Sequence, residues 1–180
     1  METRLLSHPA HASAVVDGDI SVRVERLSRT AVRFRYLLHG RIDRIVVPGP
    51  AAPARTDELW KTTCFEAFLA PDETGSYVEL NFSPSSQWAA YEFTGYRAGM
   101  SPAGVSAPPA IAVEREADRF SLTATIALHL PHGRYRLGLA AIIEERDGGK
   151  SYFALAHPAE APDFHRRDCF ALELPAAERP

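Results

Sequence analysis

The sequence is short of nearly everything that would stabilise or localise a protein by special means. It has only two cysteines, Cys64 and Cys169, and no Cys-x-x-Cys pair, which argues against a disulfide scaffold or a zinc finger. No apolar run approaches the roughly 18 residues of a membrane span. The opening Met1-Glu2-Thr3-Arg4-Leu5-Leu6-Ser7-His8-Pro9 lacks the apolar centre of an export signal, so the expectation is a soluble, cytoplasmic protein with no membrane partner. Lysine is scarce as well. Two lysines and 18 arginines are scattered along the chain, and the formal charge is −3, so there is no basic stripe to receive a nucleic acid. Gly-x-Ser-x-Gly, His-Glu-x-x-His and Gly-x-Gly-x-x-Gly are all absent. Gly149-Lys150-Ser151 resembles the end of a phosphate-binding loop. Glu144 stands where the leading glycine belongs, however, and the segment lies between two strand patterns, so it reads as a hairpin turn.

What is present is a two-residue period. At 180 residues the chain suits one domain, able to bury about 70% of its unfolded surface without a staple. Residues 1–19 read as a leader, 20–174 as the domain and 175–180 as a tail. Ile20, Val22 and Val24 alternate with polar neighbours, as do Val32, Phe34 and Tyr36, with a turn at Ser28-Arg29. Further strands are expected over Arg41 to Val47, Cys64 to Ala70, Tyr77 to Phe82, Trp88 to Phe93, Ala110 to Arg115, Arg119 to Leu128, Tyr135 to Glu145, Ser151 to Ala156 and Cys169 to Leu174. Turn compositions at Pro71 to Gly75 and at Arg146-Asp147-Gly148-Gly149 mark hairpins. Gly95 to Pro109 holds three glycines and three prolines and reads as an irregular surface loop. About ten short strands with no sustained helical period predict an all-β, antiparallel, jelly-roll-like β-sandwich.

The chemistry concentrates between Asp57 and Met100. If Phe65 and Leu69 join Val78, Leu80 and Phe82 inside the sandwich, then Glu66, Glu79 and Asn81 point to the opposite face. Two carboxyls and an amide beside Trp60 and Trp88 have the makings of a sugar site: indole faces cover apolar C–H patches, while the polar groups bond hydroxyls. Arg97 and Trp88 are rim candidates. The plainer reading leaves both tryptophans in the core and the acids on a solvated face. A glycosidase would need its two carboxyls about 5 to 9.5 Å apart across the scissile bond. His157, Asp163 and His165, in a proline-rich loop, suit a divalent metal by ligand type, and equally suit capping of loop backbone. Cys64 and Cys169 read either as small buried hydrophobes or as a pair.

The block Glu58-Leu59-Trp60-Lys61-Thr62-Thr63-Cys64-Phe65-Glu66, the run Tyr77 to Pro84, and Ala156-His157-Pro158 with Pro162-Asp163-Phe164-His165 together resemble the DOMON-like superfamily, in particular its members related to family 9 carbohydrate-binding modules. The resemblance spans most of residues 20 to 174. It implies a curved antiparallel sandwich with a ligand groove on one sheet, non-catalytic binding of a saccharide or other small polyhydroxylated ligand, and no obligatory cofactor. In that family an aromatic residue stands six positions before a strand glutamate, which Trp60 and Glu66 match, and Glu79 and Asn81 take the polar strand positions that follow. A second aromatic platform would fall to Phe164, His165 or Trp88. Other members bind haem through Met and His, for which Met100 with His157 or His165 is the alternative here.

Overall fold

The computed structural model describes residues 1–72, 74–130, 133–158 and 160–174. The expected tail at 175–180 lies outside the described residues. Twelve strands are found among them: β1 (Glu2–Ser7), β2 (Ile20–Ser28), β3 (Ala31–His39), β4 (Cys64–Pro71), β5 (Tyr77–Phe82), β6 (Trp88–Phe93), β7 (Ser101–Pro102), β8 (Ala110–Arg115), β9 (Arg119–Ala127), β10 (Tyr135–Glu144), β11 (Lys150–Ala154) and β12 (Leu172–Glu173). They pair antiparallel in the order β7-β6-β5-β4-β10-β11-β1-β2-β3-β9-β8, with β12 beside β10. The fold is the expected all-β antiparallel sandwich.

Strand β1 joins the two sheets. Glu2 to Leu5 pair with β2, whereas Leu6 and Ser7 pair with β11. The supposed leader therefore belongs to the sheet, and Leu5 is fully buried. Its signal was weak because one large inward residue in a six-residue strand leaves almost no alternation to read.

Inward residues of the two sheets interdigitate as the period predicts. Phe34 meets Phe82 at 5.9 Å between ring centroids, Tyr36 meets Phe65 at 5.1 Å, and Phe65 stacks on Phe120 at 5.9 Å. The Tyr36 hydroxyl donates to the Glu66 carbonyl at 2.8 Å, a buried bond between the sheets. Strand β4 is buried on both faces except at its last residue. Its second face, with β5, β6, β10 and β11, carries a smaller apolar cluster of Phe68, Tyr77, Phe93, Ile142 and others, capped by Phe164 and Phe170 from the C-terminal segment.

Gly138 on β10 makes that cap possible, since a Cβ there would stand 2.5 Å from Phe170 Cδ1 and 3.2 Å from Phe68 Cβ. Both cysteines are free and buried.

Three segments depart from the period. Arg41 to Val47 is not a strand. Ile42–Arg44 forms a 3-10 turn, and Ile42 and Ile45, three apart, both enter the core, as such a turn dictates. In the expected last strand, Arg167–Cys169 is also a 3-10 turn, and only Leu172–Glu173 pairs. Here Phe170 goes to the outer cluster and Leu174 to the central one, so a single strand face cannot serve both. Within the loop after β6, Ser101 and Pro102 pair with Glu92 and Tyr91 at the sheet edge, where proline's missing donor does no harm.

Leu5→Ala is expected to cost about 2–5 kcal/mol of unfolding free energy in a denaturant titration. A loss below about 0.5 kcal/mol, the level of a neutral surface change, would show that β1 is dispensable.

Candidate functional site

The outer face of β4, β5 and β6 floors a cleft of about 840 Å³. The register sets Glu66 opposite Asn81, Phe68 opposite Glu79, and Glu79 opposite Tyr91. Glu66 and Glu79 are thus diagonal neighbours on adjacent strands, on the face away from Phe65, Leu80 and Phe82. One wall is the 3-10 turn Leu59–Lys61. Leu59 packs with Cys64 and Ala89, and this anchor turns Trp60 outward to 50% exposure at the cleft mouth. The opposite wall comprises Ile142, Tyr152, Pro162, Phe164 and His165, and the loop after β6 contributes Arg97 and Met100. Glu58 and Arg97, two of the three non-glycine residues at positive φ among those described, both line the cleft (φ 61° and 51°). Left-handed backbone at such residues costs of order 1–3 kcal/mol and clusters at functional sites.

Glu66 is 4% exposed, and its carboxyl makes no hydrogen bond or ion pair with any described residue. Burial, and then the neighbouring Glu79, push its pKa well above the ordinary value, against a smaller opposing pull from Arg97. Glu79 is also raised by burial, with Asn81 and Arg97 pulling it back. Asn81 Nδ2 donates to Glu79 Oε1 at 2.6 Å, and Asn81 Oδ1 accepts from the Cys64 thiol at 3.7 Å. Asn81 therefore spends both ends of its amide inside the protein and orients Glu79 from beneath the cleft.

The second wall is fastened by polar bonds. Arg97 Nη2 donates to Asp163 Oδ1 at 2.9 Å, Tyr96 donates its hydroxyl proton to the other carboxylate oxygen, and the His165 backbone N–H donates to Asp163 as well. Burial raises Asp163, but these donors outweigh it and the net shift is downward. The Tyr77 oxygen accepts from the Arg97 backbone N–H at 3.2 Å and lies 2.8 Å from His165 Nδ1. His165 Nε2 lies 3.7 Å from Glu79 Oε2. Burial, aided by Arg97 and opposed by Asp163, lowers the His165 pKa to about 4, so the ring is neutral near pH 7.

The expected site residues divide accordingly. Trp60, Glu66, Glu79 and Arg97 share the cleft, Asn81 lies beneath it, and Trp88 lies elsewhere. Trp88 is opposite Phe82 and therefore faces the central core, 6% exposed, with the Arg55 guanidinium 4.9 Å from its ring centroid. It is neither a rim residue nor a second platform.

His157, Asp163 and His165 do not assemble into a metal site. His157 Nε2 donates to the Leu6 carbonyl at 2.7 Å, Asp163 is held by Arg97 and Tyr96, and no group of three His, Cys, Asp or Glu among the described residues has metal-holding geometry. Met100 and His165 both line the cleft, but both His165 nitrogens are turned to Tyr77 and Glu79. Tyr91, whose hydroxyl donates to Asp57 at 2.5 Å, was not singled out from the sequence. Strand alternation would have found it, once Trp88 was assigned to the core.

Opposite pH dependences follow. A carboxyl raised in the folded state contributes stability below its ordinary value of about 4.5, lost as pH rises through the folded value. His165, depressed from 6.5 to about 4, contributes stability above 6.5 that is lost as pH falls toward 4. Glu66→Gln should therefore be more stable than the parent at pH 8, with the advantage shrinking toward pH 4 in denaturant titrations. A difference that does not vary with pH would contradict the assignment.

No family model matches the chain, and no curated protein matches it. Among solved structures, it is similar to a candidate carbohydrate-binding protein from Bacteroides uniformis ATCC 8492, at 12% identity and a TM-score of 0.68 over 94% of this chain and 83% of that one. Two structures of a family 9 carbohydrate-binding module from Caldicellulosiruptor kristjanssonii, one with glucose and one with cellotriose, also align. They have 12% and 13% identity and TM-scores of 0.47 and 0.46, over 81% of this chain and 70% and 68% of theirs. At this identity the first likeness speaks to the fold, and the two with TM-scores below 0.5 carry no further argument. The chain shares an antiparallel β-sandwich fold with the Bacteroides protein.

Proposed function

We propose that the protein is a non-catalytic binding module whose cleft takes a small polyhydroxylated ligand, with saccharides the class that fits best. The observation that carries this reading is Glu66, a 4% exposed residue on the cleft floor whose carboxyl has no hydrogen-bond or ion-pair partner among the described residues. A carboxyl so enclosed by protein keeps its acceptor sites for groups that enter the cleft, and a ligand hydroxyl can donate to it. Trp60 at the mouth offers a half-exposed indole face for the apolar side of a sugar ring. The volume falls within the roughly 300–1,000 Å³ of small-ligand sites. Arg97, pinned by Asp163, and Glu79, oriented by Asn81, present polar atoms whose positions are set before any ligand arrives. The resemblance of the Trp60 and Glu66 spacing to family 9 modules, and the fold shared with the Bacteroides candidate carbohydrate-binding protein, point the same way.

Binding without hydrolysis is supported by the register. Glu66 and Glu79 lie side by side on one floor, whereas glycoside cleavage places its two carboxyls on opposite sides of the scissile bond.

Trp60→Ala should abolish saccharide binding in calorimetry while changing unfolding free energy by no more than about 0.5 kcal/mol, because the ring is half solvated. Unchanged affinity for a ligand bound by the parent would overturn the assignment.

A further inference from the structure

The charges lining the cleft do not balance. Arg97 is its only cationic lining residue among those described, and that guanidinium is committed to Asp163. Glu58 is paired with Lys61 at 2.6 Å. Three carboxyl groups then remain on the cleft surface with no cation of their own among the described residues: Asp57, whose donor is the neutral Tyr91 hydroxyl, Glu79, whose donor is the neutral Asn81 amide, and Glu66, which has no hydrogen-bond donor among the described residues. His165, beside Glu79, is neutral near pH 7. A site built for a neutral polyol needs hydroxyl partners but gains nothing from an excess of acid, since two neighbouring buried carboxyls repel each other.

Resting on the binding reading above, we infer that the cleft's ligand carries a protonated amine, as in a 2-amino sugar or a related amino polyol, seated between Glu66 and Glu79 with its ring against Trp60. An ammonium group supplies three donors and one positive charge, which is what two adjacent acceptor groups without a cation lack. Hydrogen bonds between ionised partners are about twice as strong as neutral ones. The titratable and charged groups around Glu66 are Cys64 on its own strand, Glu79 on β5, Arg97 from the loop and Tyr36 from the opposite sheet.

The test is calorimetry on the full chain at pH 7 with D-glucose, D-galactose, their 2-amino counterparts and the N-acetylated forms of those amines. The amines should bind about tenfold or more tighter than either neutral set, a difference of about 1.4 kcal/mol. Glu66→Gln should erase this preference. Equal or tighter binding of the neutral sugars would overturn the ammonium inference and leave the polyhydroxyl reading standing. Binding of none of the sugars would overturn both. A preference for the amines that survives in Glu66→Gln would also overturn the inference, by placing the charge recognition elsewhere.

Discussion

Burial of β4 on both faces is the constraint on which the rest of the structure depends. One face, through Phe65, Ala67 and Leu69, fills the space between the sheets, and the other, through Glu66, Phe68 and Ala70, supports the outer cluster and the cleft. A strand buried on both faces normally reads as continuous hydrophobic sequence, and Cys64–Pro71 nearly does, with Glu66 the one ionisable side chain of the carboxylate type in it. Its backbone carbonyl is tied to Tyr36 of the opposite sheet, so the main chain at Glu66 is held from below. The carboxyl is then presented at a fixed height above a rigid floor.

Above that floor, two irregular segments complete the site, and each is held by a specific anchor. Leu59 pins the short turn that turns Trp60 out. Phe164 and Phe170 pin the C-terminal segment by apolar contact, with Gly138 leaving room for Phe170, while the bonds of Asp163 to Tyr96 and Arg97 hold the segment to the loop after β6. Rigid strands thus set the acids, and anchored loops set the aromatic and basic groups, an arrangement suited to a site whose geometry precedes its ligand. The cost is visible in the two strained residues of the rim and in the raised carboxyls of the floor.

Much of the fold was legible because period-two alternation reports directly on a sandwich core. Val22, Phe34, Tyr36, Leu80 and Phe82 all face inward as their spacing requires. The same rule separated Glu66, Glu79 and Asn81 from the core face. It failed where the chain does not alternate: in β1, with its single inward leucine, at Ile42 and Ile45, whose spacing of three belongs to a turn, and at Phe170 and Leu174, which serve different clusters. Within the site, the position of Trp88 depended on register, and residue type suggested a sugar platform where alternation from Phe82 across to β6 dictates the core. The roles of Asn81, Asp163 and Tyr77 are those of positioning groups. These arise from contacts between distant segments, Tyr77 with His165 and Arg97 with Asp163, for which a single sequence carries no local signal.

The central claim is that Glu66, buried at the cleft floor and without a carboxyl partner among the described residues, is completed by a ligand. Carbon-13 NMR of its side-chain carboxyl reads this directly. The account predicts a titration midpoint above the ordinary carboxylate range in the free protein, and a displaced resonance when a bound saccharide or amino sugar is present. A carboxyl that titrates at its ordinary value and stays unmoved by a ligand known to bind would contradict it.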